Sequence, residues 1–403
     1  MATHKIFNDP VYGFVTVPYG IIFDLIEHPY FQRLRRIKQV SLTHYVYPGA
    51  LHTRFHHALG AFHLMTQSID VLRAKGAEIS DEEGLAVQIA ILLHDIGHGP
   101  FSHTLENTLI NVHHERLSEL FMAKLNEEFN GALSLAIQIF EDTYPKKFLH
   151  QLVSSQLDMD RMDYLTRDSF FTGVYEGVIG YDRIIKMLAV HDGELVVEEK
   201  GIYSIEKFLI ARRLMYWQVY LHKTVLSAEQ MMIQTLRRAK QIVKAGESLY
   251  CPPNLELFIH HDFSEKDFLS RRDELLEAFA GLDDSDISAA LKGWMKSKDR
   301  VLAFLATGLI NRRLFKLELV DQPFDPTYQQ SIQEKIKLWW QGPSSETEFL
   351  LLSGQESNHA YNPQSGEIKM LFKNGEAKPM SELLEPGMHF RNVTKYYLAY
   401  PKM

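Results

Sequence analysis

The residue types best able to bind a metal ion are concentrated in one stretch of this chain. Ten of its nineteen histidines lie between residues 44 and 114, with Asp95 among them. Imidazole and carboxylate groups clustered in this way are typical ligands of divalent cations of hard to borderline character. The single cysteine, Cys251, cannot supply a thiolate cluster or an intrachain disulfide. The sequence therefore predicts a divalent metal site built from His and Asp side chains.

The pair His94-Asp95 ends a stretch that is apolar almost all round. Residues 84–96 (GLAVQIAILLHDI) predict a buried helix, and the glycines and proline of residues 97–100 stop it. A buried carboxylate without a partner is costly. A hydrogen bond between the two side chains would explain an isolated pair inside a core. Here His98, one helical turn further on, and the flanking glycines favour a bound divalent cation instead.

A second segment, residues 158–168 (DMDRMDYLTRD), also combines acidic and aromatic side chains. Taken as a helix, it places Asp160, Tyr164 and Asp168 on one face, because they recur at steps of four. The alternative is an exposed helix held by surface salt bridges. The interspersed methionines and leucine leave little room for a fully solvated face, so we favour a functional face.

Two further pieces stay open on the residues alone. His56 and His57 are adjacent in a helical stretch, and their spacing does not decide which of them would be a ligand. Arg212, Tyr216 and Tyr220 step by four along another predicted helix. An arginine with two aromatic rings suits a phosphate and a sugar or base. An amphipathic core helix explains the same pattern and, without further support, explains it better.

The elements that must position these residues are mostly helical. Helical periodicity extends from about residue 21 to 310, after turns and short extended pieces in the first 20 residues. Residues 193–198 predict one strand, paired in a hairpin with residues 201–204. We therefore predict a mainly α fold, with a helical catalytic core at residues 1–310 and a smaller C-terminal α+β subdomain at residues 311–403.

The C-terminal subdomain reads as strand, helix, strand, strand, helix and strand, the order of a ferredoxin-like unit. The predicted strands are residues 315–320, 348–352, 368–372 and 394–400, and the predicted helices are residues 328–340 and 380–384. A tail of this kind serves assembly or packing more often than chemistry.

Composition excludes several classes of protein. The net charge of −8 argues against a protein built to coat nucleic acid, although it permits a local basic pocket. No run of about 18 apolar residues is present, so we expect no membrane span. The N-terminus lacks the apolar core of a secretory signal, which makes a cytoplasmic location the simplest expectation.

Taken together, these segments resemble the HD-domain phosphohydrolases, and among them the deoxynucleoside triphosphate triphosphohydrolases. The order H…HD…D of that family matches His57, His94-Asp95 and Asp160. The longer matching strings are FQRLRRIKQ (31–39), YPGA (47–50), HTRFHHALG (52–60), LHDIGHGPFSH (93–103) and DRMDYLTRD (160–168). The resemblance extends from about Lys5 to Lys223.

The resemblance implies a role for each matching residue. The metal ligands would be His57, His94, Asp95 and Asp160, holding Mn, Fe or Mg, with Zn or Ni as less typical occupants. His103 would be the leaving-group acid oriented by Glu106, and His98 and His114 would contact phosphate. The triphosphate and deoxyribose would be held by Arg54, Arg161, Tyr164, Asp168, Arg212 and Tyr220, with Gln39 at the sugar edge. Tyr216, where the family usually has histidine, would lie near the base and sugar.

The activity implied is hydrolysis of a deoxynucleoside triphosphate to a deoxynucleoside and triphosphate. Tyr220 would disfavour ribonucleotides by abutting the 2′ position. The alternatives are an HD phosphohydrolase acting on another nucleotide or phosphoester, or a metal-binding nucleotide sensor without turnover. The pair His103 and Glu106 favours an enzyme, because binding alone does not need an acid there.

A second, regulatory nucleotide site is also implied by the resemblance. Lys5, Asn8, Glu27, Gln32 and Arg35 resemble parts of a guanine-nucleotide effector site found in the family. We therefore expect a homo-oligomer whose assembly depends on a nucleotide.

Overall fold

The computed structural model describes residues 3–358, 361, 366–384 and 393–403. The nineteen α-helices of these residues confirm a mainly α fold. They are α1 (Ile21–Glu27), α2 (Pro29–Gln32), α3 (Arg54–Ala74), α4 (Asp81–Leu93), α5 (His114–Glu128), α6 (Ser134–Phe140), α7 (Lys147–Val153), α8 (Met159–Thr172), α9 (Tyr181–Met187), α10 (Ile202–Met215), α11 (Lys223–Lys244), α12 (Pro253–His260), α13 (Glu265–Ser270), α14 (Arg272–Ala280), α15 (Asp284–Trp294), α16 (Arg300–Ile310), α17 (Pro326–Trp340), α18 (Ser344–Thr347) and α19 (Met380–Leu383).

The strands form three small sheets. They are β1 (His4–Asp9), β2 (Gly13–Pro18), β3 (Leu188–His191), β4 (Glu194–Glu198), β5 (Lys316–Val320), β6 (Leu352–Asn358), β7 (Lys369–Leu371), β8 (Ala377–Pro379) and β9 (Val393–Tyr400). β1 and β2 form an N-terminal hairpin, the second sheet has the order β3-β4-β7-β8, and the third has the order β5-β9-β6. Within the second sheet, β4 and β7 are parallel neighbours.

The helix that leads to His94 is held at both ends. Ser80 Oγ accepts from the Glu83 backbone N–H at 3.1 Å, and Glu83 Oε2 accepts from the Ser80 backbone N–H at 2.8 Å. This capping box starts α4 at Asp81. The predicted burial of the helix is confirmed, with most of its side chains in the core. The helix ends one turn earlier than predicted, at Leu93, so His94 and Asp95 lie in the turn that follows.

Two of the predicted strand arrangements are wrong. The strands of the C-terminal region do not form one ferredoxin-like sheet, because β7 and β8 extend the β3-β4 sheet while β5, β6 and β9 form another. The partner of β4 is the preceding strand β3, whereas residues 201–204 begin α10. The predicted strand at residues 348–352 is also displaced, since β6 begins at Leu352. Pairing of strands is decided by contacts remote in sequence, which local patterns do not contain.

The expected helix around Tyr216 contains a local irregularity. α10 ends at Met215, and Tyr216–Tyr220 form one π-helical turn before α11 begins at Lys223. Insertions of this type are rare and frequently occur at functional sites. The predicted boundary between a core at residues 1–310 and a subdomain at residues 311–403 stays a prediction. Among the described residues, no helix has the length and apolar character needed to cross a membrane.

Candidate metal centre and substrate cavity

Three predicted ligands from three different elements meet in the helical core. His57 lies in α3, Asp160 in the first turn of α8, and His94 just after α4. His57 Nε2 is 3.1 Å from Asp160 Oδ1 and 3.3 Å from His94 Nε2, and His94 Nε2 is 3.4 Å from Asp160 Oδ1. Asp95 lies beside them, with Oδ1 at 3.4 Å from His94 Nε2. The structure thus brings together all four residues predicted as metal ligands.

The hydrogen bonds of the two histidines test whether this group fits a cation. His57 Nδ1 is 2.7 Å from Asp163 Oδ2, and His94 Nδ1 is 2.6 Å from the Ile91 carbonyl oxygen. Each acceptor takes the ring N–H, so in neutral rings both Nε2 atoms keep a lone pair. These lone pairs face each other with the Asp160 carboxylate beside them, so the arrangement requires a positive charge between them, either a proton on an imidazole or a metal cation. The donor set therefore fits a divalent metal ion.

The local electrostatics point the same way. Burial lowers the pKa of His57, but hydrogen bonds to Asp160 and Asp163 outweigh this and raise it to about 10. Burial raises the pKa of Asp160, but hydrogen bonds from His57 and His94 hold it far below its ordinary value. The Asp95 pKa is also well below its ordinary value, since His94 and Arg54 outweigh burial. The buried carboxylates are thus stabilised by positive charge, which protonated imidazoles and Arg54 supply here and to which a bound cation would contribute.

The structure shows why His57 and not His56 faces the cluster, a choice that the sequence left open. It does the same for Asp160 and the nearby Asp158. His56 Nδ1 accepts from the Thr53 backbone N–H at 3.2 Å, at the start of α3, while His57 faces the cluster. Asp158 caps α8 by accepting from the Arg161 backbone N–H at 2.7 Å, which leaves Asp160 to face the cluster. In both pairs, one residue satisfies a helix terminus.

A second layer of buried charges holds His57, and sequence reasoning missed it. Asp163 accepts from His57 and also from Arg167, whose Nε and Nη2 lie 3.0 Å from its two oxygens. Arg167 Nη1 donates to Asp9 Oδ2 at 2.8 Å, which ties the cluster to the N-terminal hairpin. An ideal Cβ on Gly60 would lie 2.0 Å from Asp163 Oδ1. The signal in the sequence is the four-residue spacing of Asp163 and Arg167 within the string at residues 160–168.

Three further histidines form a group next to the cluster of His57, His94, Asp95 and Asp160. The His98 and His114 rings stack with centroids 3.9 Å apart, and His103 meets each of them edge-on at 5.0 Å. Glu106 lies 3.3 Å from His103 Nδ1 and 3.2 Å from His114 Nδ1. Burial raises the pKa of Glu106, but hydrogen bonds from the two histidines lower it strongly overall. Glu106 is therefore ionised and orients the rings of His103 and His114 so that Nε2 is available to a ligand.

Arg54 and a buried arginine hold the turn that carries Asp95. Arg54 forms an ion pair with Asp95, and its Nε donates to Ser102 Oγ at 2.7 Å. Arg33, missed in the sequence, is fully buried and donates to the carbonyl oxygens of Ile96 at 2.7 Å and His98 at 2.8 Å. The positions of Asp95 and His98 are thus determined by two arginines from other parts of the chain, Arg33 and Arg54.

These groups open into a cavity of about 590 Å³. The predicted site residues that line it are Gln39, Arg54, Asp95, His98, His103, His114, Asp160, Tyr164, Asp168, Tyr216 and Tyr220. The predicted face of α8 is confirmed, because Asp160, Tyr164 and Asp168 all line the cavity. It is also lined by Glu229 and Glu356, which the sequence did not indicate as site residues.

One side of the cavity is fixed by a chain of hydrogen bonds. The Tyr220 hydroxyl donates to Asp168 Oδ2 at 2.7 Å, and Asp168 Oδ1 lies 2.6 Å from Nε2 of buried His52. Burial, with the nearby Asp168 charge, raises the pKa of Tyr220 well above its ordinary value. Tyr220 is therefore a neutral donor with a fixed ring position. His52 was not predicted as a site residue, although it lies in the string at residues 52–60.

Two predicted phosphate-binding arginines lie close to this cavity. Arg161 forms an ion pair with Asp158, and the opposing effects of burial and that carboxylate leave its pKa raised. Arg212 is buried and donates from Nη1 to Gln156 Oε1 at 3.0 Å. Both positive charges act on Tyr164, whose pKa burial raises above its ordinary value. Neither is among the residues that line the cavity, so their contact with substrate stays a prediction.

The predicted effector residues are brought together only in part. Arg35 Nε donates to Gln32 Oε1 at 2.8 Å, and the charge of Glu27 acts on Arg35. Lys5 and Asn8 lie on β1, and among the described residues no hydrogen bond or ion pair connects their side chains to that group. The effector site therefore stays a prediction.

Comparison with protein families identifies two matching regions. The HD domain family matches residues 54–168, and the HD associated region matches residues 179–249. The first match begins with α3 and ends at Asp168, so it contains all four residues predicted as metal ligands. The second match contains α10, the π-helical turn and all of α11.

Comparison with individual proteins extends over the whole chain. A crystal structure of a phosphohydrolase from Bacteroides thetaiotaomicron is 50% identical, with a TM-score of 0.95 over 99% of this chain and 100% of that one. The uncharacterized protein YwfO of Bacillus subtilis is 31% identical over 100% of this chain and 93% of its own length. The human deoxynucleoside triphosphate triphosphohydrolase SAMHD1 is 30% identical over 62% of this chain. The match spans 47% of the human protein, about half its length.

Proposed function

Because this chain belongs to the HD-domain family of metal-dependent phosphohydrolases, we propose that its substrates are deoxynucleoside triphosphates. The products would be a deoxynucleoside and inorganic triphosphate. The observation that carries this proposal is a single cavity that joins the His-Asp cluster, the His103-Glu106 pair and the fixed ring of Tyr220. The human relative is named as a deoxynucleoside triphosphate triphosphohydrolase, which supports the same substrate class.

We propose that His57, His94, Asp95 and Asp160 hold one divalent cation. A set of two imidazoles and two carboxylates suits Mn, Fe or Mg, with Zn or Ni as less typical occupants. When bound, such a cation polarises the phosphate and lowers the pKa of a water molecule. The chain itself supplies the orientation, since Asp163 and the Ile91 carbonyl hold the two imidazoles with Nε2 toward the cluster.

The proposed leaving group is the 5′ oxygen of the nucleoside. As the bond from the water oxygen to the α-phosphorus forms, the bond from that phosphorus to the 5′ oxygen breaks, and the 5′ oxygen requires a proton. His103 can donate it from Nε2, because Glu106 holds the opposite ring nitrogen at 3.3 Å. His98, His114 and Arg54 line the same part of the cavity and would stabilise the negative charge that develops on phosphate.

Discrimination against ribonucleotides would come from Tyr220. Its hydroxyl is held by Asp168, and Asp168 is held in turn by His52. Because its hydroxyl is held in this way, the Tyr220 ring cannot move aside for a 2′ hydroxyl without breaking the hydrogen bond to Asp168. We therefore expect deoxyribonucleotides to be preferred by sterics.

The test is a product assay on metal-loaded protein. Each dNTP and NTP is incubated with protein loaded with Mn, Mg, Fe, Co or Zn, and triphosphate, pyrophosphate and phosphate are separated and quantified. Reaction in ¹⁸O-water should place the label in triphosphate and none in the deoxynucleoside, because attack is at phosphorus. Release of pyrophosphate or phosphate alone, or no product from any dNTP, would refute the proposed substrate and leave another phosphoester as the substrate.

We further propose a homo-oligomer whose assembly responds to a guanine nucleotide bound near Gln32 and Arg35. The support is the local group formed by Glu27, Gln32 and Arg35. Light scattering coupled to size exclusion, with and without GTP or dGTP, should show a larger mass with nucleotide. A mass that does not respond to either nucleotide would contradict this regulation.

A further inference from the structure

A carboxylate of the N-terminal hairpin uses its two oxygens for two different purposes. Asp9 is the one buried residue of β1. Its Oδ1 accepts hydrogen bonds of 2.9 Å from the backbone N–H groups of Val11 and Tyr12, in the turn between β1 and β2. Aspartate commonly closes a turn in this way. Its Oδ2 accepts from Arg167 Nη1 of α8 at 2.8 Å, a contact that the turn does not require.

Arg167 joins Asp9 to the carboxylate that orients His57. It is fully buried, and its Nε and Nη2 each lie 3.0 Å from an oxygen of Asp163. The Tyr12 ring packs beside the guanidinium, with its centroid 5.4 Å from Cζ. The N–H groups of an arginine lie in one rigid plane, so a displacement at Nη1 also displaces the other two donors. The position of Asp163 therefore depends on the contact that Asp9 makes.

The charges in this chain of contacts explain why Asp9 matters to His57. A buried charge is stable when it is paired, and Arg167 is shared between two carboxylates. Without the Asp9 carboxylate, the whole charge of Arg167 would act on Asp163. Asp163 would then accept the His57 Nδ1–H less strongly, although this bond of 2.7 Å fixes the ring and raises the basicity of Nε2. A change in the hairpin is thus expected to weaken Nε2 as a metal ligand.

We propose that Asp9 is a positioning residue of the metal centre, so that affinity for the divalent cation depends on the N-terminal hairpin. This inference rests on the proposed metal ligands and not on the identity of the substrate. The HD domain match begins at residue 54, so the hairpin adds to the metal centre a segment from outside that domain. Coupling between two sites is reciprocal. A bound cation therefore holds the hairpin against the core by as much as the hairpin strengthens metal binding.

The first measurement is the affinity of the metal-free protein for Mn and Co, by competition with a chelator and without substrate. Asp9→Asn keeps an oxygen for the turn and places an amino group opposite Arg167. We expect its affinity to fall by about 10-fold, the lower end of the effect of outer partners of metal-binding histidines. Val17→Ala is the matched control, because Val17 is buried on β2 and pairs with Lys5 at the other end of the hairpin. It should lower stability and leave the affinity unchanged.

The second measurement is hydrogen exchange with and without the cation, which a purely structural role of Asp9 would not alter. In the wild-type protein, the cation should slow exchange in β1 and β2 more than in α17, which contributes no residue to the cavity. Asp9→Asn should lose this additional protection, whereas Val17→Ala should keep it.

The outcomes separate this inference from the proposed function. Wild-type affinity in Asp9→Asn, equal losses of affinity in the two variants, or equal protection of the hairpin and α17 would overturn it. If Asp9→Asn does not fold, the exchange comparison in the wild-type protein decides. A protein that binds the cation but hydrolyses no dNTP would refute the proposed function and leave these measurements valid. A wild-type protein that binds neither Mn nor Co would overturn the inference together with the proposed metal site.

Discussion

Replacing Gly60 by alanine tests whether the second layer around His57 determines the metal site. Gly60 lies inside α3, where alanine normally stabilises a helix by about 1 kcal/mol relative to glycine. Here the added Cβ would lie 2.0 Å from Asp163 Oδ1 and 2.2 Å from Arg167 Nη2. Both side chains are fully buried and bonded to each other, so neither can swing into solvent.

The structure indicates that the clash outweighs the gain in helix propensity. Real Cβ contacts stay above 3.0 Å, so Asp163 and Arg167 must move by about 1 Å in a close-packed interior. Such a shift disrupts the Asp163–Arg167 pair and the bond to His57 Nδ1. Disruption of a buried ion pair costs about 3–5 kcal/mol, so we expect a net loss of about 2–4 kcal/mol. Loss of an outer partner of a metal-binding histidine lowers metal affinity by about 10- to 100-fold.

Two measurements check this prediction. Urea denaturation of the metal-free protein gives the change in unfolding free energy, and competition with a chelator for Mn or Co gives the change in metal affinity. Gly84→Ala is the matched control, since Gly84 is also a buried helical glycine. Its Cβ would come closer than 3.0 Å only to Arg73 Nη2, the end of a flexible side chain, at 2.9 Å, while Ile69 Cγ2 lies at an ordinary contact distance of 3.8 Å. If Gly60→Ala were as stable as Gly84→Ala and bound metal with wild-type affinity, the argument from close approach would be wrong.

The remaining predictions concern chemistry, selectivity and pH. Asp160→Ala should lose metal and activity together, whereas His103→Ala should keep its metal and lose activity by about 10²- to 10⁴-fold; metal analysis beside the product assay decides, and turnover retained in His103→Ala would refute its role. Tyr220→Ala should narrow the preference for dNTP over NTP by about 10-fold or more, while Tyr220→Phe keeps the ring but loses the hydrogen bond to Asp168 and should narrow it less; an unchanged ratio in Tyr220→Ala would contradict the steric explanation. The Glu229 pKa of about 7 lies above its unfolded value, so its contribution to stability is present at low pH and is lost as pH rises through 7. Glu229→Gln should therefore gain stability relative to the wild-type protein between pH 5 and pH 8 in urea titrations, and a difference independent of pH would refute this.

Several features of the site could be predicted because they depend on neighbours in the sequence. The apolar run before His94 predicted its burial, and the four-residue steps of Asp160, Tyr164 and Asp168 predicted a common face on α8. Both were confirmed, because helical periodicity determines which side chains share a face. The same reasoning could not separate His56 from His57, since both fit a helix equally well. The capping contact of His56 with Thr53 became visible only in the folded chain.

Other features were wrong or missed because they depend on residues far apart in the chain. Arg167 was not predicted as a site residue, yet it is buried between Asp163 and Asp9, 158 positions away from the latter. Glu229 has no local pattern that marks it as a site residue, and its cavity position depends on α11 packing beside Thr104.

The sequence by itself determined the chemistry available to this protein: imidazoles and carboxylates at the ends and faces of apolar helices, without thiolates. These properties depend on composition and on local periodicity, which act within one or two helical turns. Only the tertiary structure decided the distances that make the residues a site, such as 3.3 Å between His57 and His94 from two different helical segments. It also decided that the strands of the C-terminal region divide between two sheets. The physical reason is that packing and strand pairing depend on contacts between segments distant in the sequence. The residues of one segment do not indicate which other segment it will contact.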